Sequence, residues 1–291
     1  LQRREVVAPL AAAALAGCFR RRPLAVGAKS TTDQTVLAEA VAQHLEQRLG
    51  VRIERRLNLG ETLLAHQALL TGVVDLYPEY SGLALTVIFK LPHESDPAIV
   101  FERVRNEYRI RCAVEWLEAL GSGGGFALIV RADDARRGKL ATLSDAVGYG
   151  PRWKLGVVQE FLEQPALFHR LMSVYALPLT AAPKILALGA LYRALAANEL
   201  NMVTGSPTDP QLEGADFQAL EDDRGAFPPC QAALAVRAET LRRLPGLRPA
   251  LAQLAGKFST RALRKLSYQV EIERRPAGEV AAAFLRQAGL V

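Results

Sequence analysis

Residues 24–28, LAVGA, form a short apolar run that predicts a buried strand. TTDQTVLAEAVAQHLEQRLG follows and predicts a helix. Leu37, Val41, Leu45 and Leu49 recur every four residues as one apolar face. Thr31 and Gln34 have the spacing of a capping box, and Gly50 supplies a stop. VRIERRL (51–57) alternates apolar and polar residues, as a half-buried strand does. ETLLAHQALLTG predicts a second helix ending at Gly72, and VVDLY (73–77) a third strand. Strand, helix, strand, helix, strand implies a parallel sheet with right-handed crossovers.

The pattern returns further along. WKLGVV (153–158) predicts a strand, with a helical stretch to about Tyr175. ALGALYRALAANELNMVTG predicts a helix and then a strand. QALLTGVVDLY (67–77) and RALAANELNMV (193–203) share one layout, a helix end feeding into a strand. That weak echo favours two α/β lobes with similar parts. The glycines of LGSGGGFALIVR (120–131) suit a segment that crosses between lobes, and EDDRGAFPPCQAALAVR (221–237) suits the return. Helices are expected near 238–255, 259–267 and 276–288, covering the first lobe. In open α/β sheets ligands sit at the carboxyl ends of strands, and here also between the lobes.

The chain has 291 residues, 50% hydrophobic and 23% charged, ordinary for a globular protein and long enough for two lobes. No apolar run approaches the roughly 20 residues of a membrane span. The first 18 residues change the picture. Arg3 and Arg4 precede an apolar stretch and small residues, the layout of an export signal. Leu15-Ala16-Gly17-Cys18 resembles a bacterial lipoprotein box, which implies cleavage before Cys18 and lipidation of its thiol. The alternative is a short N-terminal helix with a chance cysteine. Residues 1–22 carry +4 of the formal +6, so the body is nearly neutral and shows no nucleic-acid footprint. The basic residues at 19–23 would lie beside anionic lipid head groups. Cys112 and Cys230 leave a disulfide open. No metal-ligand spacing and no phosphate loop before a helix appears, so no metal or cofactor is expected. His44 and His66 lie in helical segments and read as surface or packing residues.

RRLNLG (55–60), QALLTGVVDLYPEYSG (67–82), WLEALG (116–121), QEFLEQP (159–165), SPTDPQL (206–212), LEDDRGAFPPC (220–230) and LAGKFSTRALRKLSYQVEIE (254–273) occur in one order. In that order they resemble the substrate-binding proteins of ABC importers for glycine betaine, choline, carnitine and related osmoprotectants. The resemblance covers nearly all of residues 24–291. It implies an α/β, two-lobed periplasmic-binding-protein-like fold of type II, with the ligand cleft between lobes that close like a hinge. Lobe 1 is expected to take 24–124 plus 231–291, and lobe 2 to take 125–230. It also implies an extracytoplasmic, lipid-anchored protein that delivers a quaternary amine to an importer permease.

In that family a tyrosine cage grips the trimethylammonium group by cation–π attraction, about 0.5–2 kcal/mol per ring. The resemblance places Tyr80 as a cage wall and Tyr77 as packing. Lys29 matches a lysine that reaches the ligand's polar end. Phe126 stands at a cage tyrosine and keeps the ring without the hydroxyl. Gln164 stands where the family has a carboxylate-binding arginine, and Ser206 and Cys230 stand at two further cage tyrosines. About two of four rings therefore survive. Three outcomes are open: a larger or less charged amine or zwitterion, a cage rebuilt by aromatics such as Tyr149, Trp153 or Tyr192, or weak binding.

Enzyme and sensor functions are the competing classes. No nucleophile elbow is present, and GSGGG precedes a strand-like run. Asp209 and Glu221-Asp222-Asp223 are more simply solvated loop acids than catalytic carboxylates. A turnover assay separates enzyme from binder, and a neighbouring permease and ATPase separate importer component from sensor.

Overall fold

The computed structural model describes residues 22–149 and 152–290. The export signal and Cys18 lie outside the described residues. Of the basic segment 19–23, Arg22 is described, and its guanidinium pairs with Asp75 at 3.1 Å.

Two sheets make up the core. The first contains β1 (Leu24–Gly27), β2 (Ile53–Arg56), β3 (Leu76–Tyr80), β4 (Val114–Trp116) and β5 (Gly121–Ser122). The second contains β6 (Ala127–Arg131), β7 (Leu155–Val157), β8 (Lys184–Ile185), β9 (Met202–Gly205) and β10 (Phe217–Leu220). The last strand, β11 (Gln231–Arg237), returns to the first sheet. The strand orders are β2-β1-β3-β11-β4, with β5 also on β11, and β10-β6-β9-β7-β8. In the first sheet β1 runs parallel to β2 and β3, and β3 runs antiparallel to β11. In the second, β7 runs parallel to β8 and β9, and β9 runs antiparallel to β6. The chain passes between the sheets at 123–126 and at 221–230.

The helix Thr32–Leu49 forms on the face read from the sequence, with Leu37, Val41 and Leu45 fully buried and Leu49 packed at the edge of the same cluster. Gly50 ends it in the left-handed region. The capping box does not form, because Thr31 gives no side-chain cap and the Gln34 side chain is buried instead. The third strand starts three residues later than its apolar run suggests, at Leu76, and takes in Pro78. A central proline normally breaks a ladder. Here β1 pairs with β3 at Val26 and Leu76 alone, so no strand on that side needs the N–H that Pro78 lacks.

Strand alternation sends side chains to two clusters. Tyr80, Ala232, Leu234 and Val236 join the cluster under the helix Thr32–Leu49, and Tyr77, Ala233 and Ala235 join the opposite one. The two cysteines follow the same division. Cys230 packs on the first cluster and Cys112 on the second, and both are free thiols. The helices Leu247–Ala252, Thr260–Glu271 and Ala277–Gln287 cover the helix Thr32–Leu49. His44 is buried there against the carbonyls of Ala250 and Leu290, at 2.9 and 3.3 Å. His66 packs edge-on against Phe89 and Tyr108.

Candidate ligand-binding site

A cavity of about 710 Å³ opens where the carboxyl ends of both sheets meet. After β1 come Lys29 and Asp33, and β3 ends in Tyr80. After β7 come Glu160 and Glu163. Ile185 closes β8, and Ser206, Thr208 and Asp209 follow β9. Phe126 enters from the crossing segment, Glu61 from the N-cap of the helix Thr62–Leu70 after β2, and Ser267 and Glu271 from the helix Thr260–Glu271.

Tyr80 lines this cavity yet is only 3% exposed. Its hydroxyl donates to Asp33 Oδ2. Burial, with Asp33 beside it, holds that phenol well above its ordinary pKa. Gly124 lies flat on the ring. Its φ is +76°, and a Cβ there would come within 2.4 Å of the ring carbons, so only glycine fits. The Lys29 ammonium stands 5.3 Å from the ring centroid. Tyr80 is thus a wall whose ring already faces an internal cation.

Lys29 is buried and pairs with Glu79 at 2.5 Å, with Thr62 Oγ1 at 3.3 Å. Burial works against the Lys29 charge, and Glu79, Glu160 and Asp33 outweigh it, so its pKa stands above the ordinary value. Burial likewise holds Glu79 above the usual carboxylate range, against the pull of Lys29. Tyr77, fully buried on the other face, donates to Glu79 Oε2 at 3.3 Å and packs near Tyr108.

Phe126 lines the cavity and meets Phe161 edge-on at 5.1 Å. The Ser206 N–H donates to Asp209 Oδ2 at 2.9 Å, and its Oγ lies 2.8 Å from Thr208 Oγ1. Thr208 Oγ1 donates to Asp33 Oδ2 at 3.1 Å. A polar chain therefore crosses the cleft from Ser206 through Thr208 and Asp33 to Tyr80.

Two of the six expected binding residues lie outside the cavity lining. Gln164 is buried, with its Oε1 accepting from Thr86 Oγ1 at 3.0 Å, so it ties the two lobes together behind the cavity. Cys230 sits under Gly82 and Gly125, whose Cβ positions would fall 2.5 and 2.7 Å from its sulfur. Burial pushes its thiol up to about 11. The aromatics suggested as replacements are also elsewhere. Trp153 and Tyr149 stack on each other at 5.8 Å in the second lobe. Tyr192 stands behind the site and donates to Asp209 Oδ2 at 2.8 Å. Among the described residues the lining holds two aromatic rings, Tyr80 and Phe126.

What the sequence reading missed is the carboxylates. Asp33, Glu61, Glu160, Glu163, Asp209 and Glu271 all line the cavity. Asp209 is no solvated loop acid: it is 7% exposed, and burial raises its pKa to about 7. Burial, with Glu160 nearby, also raises Glu61, and Lys29 opposes that rise. The other loop acids have a different task. Asp222 accepts from the N–H groups of Ala226 and Phe227 at 2.9 and 2.7 Å and shapes the return crossing. The available signal for the cavity acids was position, since Asp33 and Glu160 stand in the first helical turn after a strand.

Residues 22–287 match the family model described as the substrate binding domain of ABC-type glycine betaine transport systems. The chain belongs to that family. It is 28% identical over 273 residues to the ergothioneine transport permease/ergothioneine binding protein EgtU of Helicobacter pylori (strain G27), covering 94% of this chain and 49% of that protein. The chain thus spans about half the length of that relative. It is 27% identical over 266 residues to the carnitine transport binding protein OpuCC of Listeria monocytogenes, covering 90% of this chain and 85% of that one. A solved glycine betaine/carnitine/choline ABC transporter structure superposes with a TM-score of 0.82 at 22% identity, over 92% of this chain and 99% of that one. The fold is therefore the two-sheet, type II periplasmic-binding-protein fold. Family and neighbours are binding proteins.

Proposed function

We propose that this chain is the solute-capturing component of an ABC importer and holds a small amine cation in the cleft between two lobes. Lobe 1 comprises 24–124 plus 231–291, and lobe 2 comprises 125–230, a division that the sheet membership of the strands supports. Tyr80 and Phe126 are the aromatic walls. Lys29 and Ser206 set the polar lining. Gln164 and Cys230 support the cleft from behind. The protein works outside the cytoplasmic membrane, tethered by a lipid on Cys18, and passes its solute to a permease. It captures and does not turn over.

The observation that carries this reading is the cavity itself. It lies at the carboxyl ends of strands from both sheets, and among the described residues two rings and six carboxylates line it. Rings and carboxylates attract cations. Polar links across the cleft, Thr208 to Asp33 and Thr86 to Gln164, are contacts that a hinge motion makes or breaks. Thermal melting of the purified chain with glycine betaine, carnitine, choline, amino acids and sugars tests the reading. A ligand that binds only the folded protein raises the melting temperature. A rise with an amine supports it, and a rise with sugars alone overturns it.

A further inference from the structure

We propose that the solute is a cation with at least two protonated, N–H-bearing amino groups, a diamine or oligoamine, rather than a zwitterion with a carboxylate tail. This rests on the amine-capture reading above and narrows it.

Charge is the first ground. None of the six lining carboxylates has an ion-pair partner among the described residues. Lys29 is the one cation in the lining among those residues, and Glu79 already engages it from behind the wall. Among the described residues no arginine lines the cavity, and Gln164 makes a contact between lobes. A carboxylate tail would enter a space lined by acids without ion pairs and, among the described residues, with no free cation to meet it.

The arrangement is the second ground. The acids form two groups, and each group draws on both lobes. Glu160 and Glu163 of the second lobe lie close enough to Glu61 of the first to help raise its pKa. Asp209 of the second lobe is influenced by Asp33 and Glu271 of the first. Lys29 is influenced by Glu160 of one group and Asp33 of the other. Two groups of acids, each split across the cleft, are held together most favourably when positive charge lies between them. A solute with a positive charge for each group supplies this, and a single quaternary centre serves only one.

Unmet hydrogen bonding is the third. Ser267 Oγ lines the cavity, is buried, and has no partner among the described residues. Glu160 Oε1 is likewise buried and unpartnered. Ionised carboxylates only accept, and a trimethylammonium cannot donate. Protonated primary or secondary amines supply the donors that these oxygens lack.

Isothermal titration calorimetry of the purified chain tests this with putrescine and spermidine against glycine betaine, carnitine and choline. The expected result is at least about 30-fold tighter binding of an oligoamine at low salt. That affinity should fall steeply between about 50 and about 300 mM salt, while a net-neutral betaine responds little. Glu160→Gln combined with Glu163→Gln should weaken the oligoamine at least about tenfold and weaken a betaine, with its single cationic centre, much less. Glu163 is exposed and Glu160 half-buried, and glutamine keeps the size of each side chain, so the variant keeps the fold. Tighter binding of a betaine or choline, or unchanged oligoamine affinity in the double variant, overturns the inference and leaves amine capture standing. Binding of neither class overturns both.

Discussion

The two lobes are built on one plan and furnished differently. The run β2-β1-β3-β11 in the first sheet has the same pairing senses as β8-β7-β9-β6 in the second. In both, a central strand flanked by two parallel neighbours delivers its carboxyl end to the cleft. The side chains at and beyond those ends differ. The first lobe ends β3 in Tyr80 and holds a buried Lys29–Glu79 pair beside it. The second places Ser206 and Asp209 after β9, and Glu160 after β7. Topology decides where a site forms, and the residues just past the strand ends decide what it holds.

The sharpest way to break that comparison is to remove the device found in one lobe alone. Glu79→Ala leaves Lys29 buried without its partner. It should cost about 3–5 kcal/mol in chemical denaturation. A loss below about 1 kcal/mol would show that the pair does not organise the first lobe. Tyr80→Ala removes a ring and the hydroxyl that Asp33 accepts from. Amine affinity should fall at least about tenfold by calorimetry. Unchanged affinity would take Tyr80 out of the site. Making the lobes more alike is the complementary test. Ser206→Tyr adds a ring on the second side and should strengthen quaternary amine binding by about 2- to 30-fold, the worth of one cation–π contact. Cys230→Tyr should destabilise instead, because Gly82 and Gly125 leave the sulfur no room to grow.

A smaller effect is expected from acidity. The Asp209 pKa is raised to about 7 by burial. Its folded state keeps a proton that the unfolded chain, near the ordinary value of 3.8, has released. Between those values the folded state binds more protons, so its contribution to stability falls as pH rises from about 4 to about 7. Cation binding runs the other way: it favours the charged carboxylate, so affinity should fall as pH drops through 7, with proton release visible as buffer-dependent binding heat. Asp209→Asn should remove that release. Persistence of the full release in the variant would assign it to another group.

Several features of this fold are legible in the sequence because a period or a special backbone angle writes them there. Leu37, Val41 and Leu45 mark the buried face of the first long helix, and Gly50 its end. The third strand is misplaced because Val73 and Val74 look like its start. Val74 packs beneath the turn and Val73 is exposed, so both precede the strand. The site is legible at Lys29 and Tyr80 through a family resemblance and illegible in its acids. An acid in a first helical turn usually complements the helix dipole at the surface. Nothing in the residues around Asp33 or Glu160 tells that common role from a place in a cavity wall, because the partners that make the wall come from the other lobe. The aromatics at 149, 153 and 192 fail as cage members because each lies on an interior face, where a ring fills volume.

The most direct test of the central claim, that the cleft recognises positive charge, is calorimetric titration with matched pairs. Choline is set against its neutral carbon isostere 3,3-dimethylbutan-1-ol, and putrescine against butane-1,4-diol. Carboxylates and ring faces should bind the cation of each pair and leave the neutral partner without measurable heat, and Asp33→Asn should narrow the gap. Equal binding of a cation and its neutral isostere would contradict the account, because the cleft would then select by shape alone.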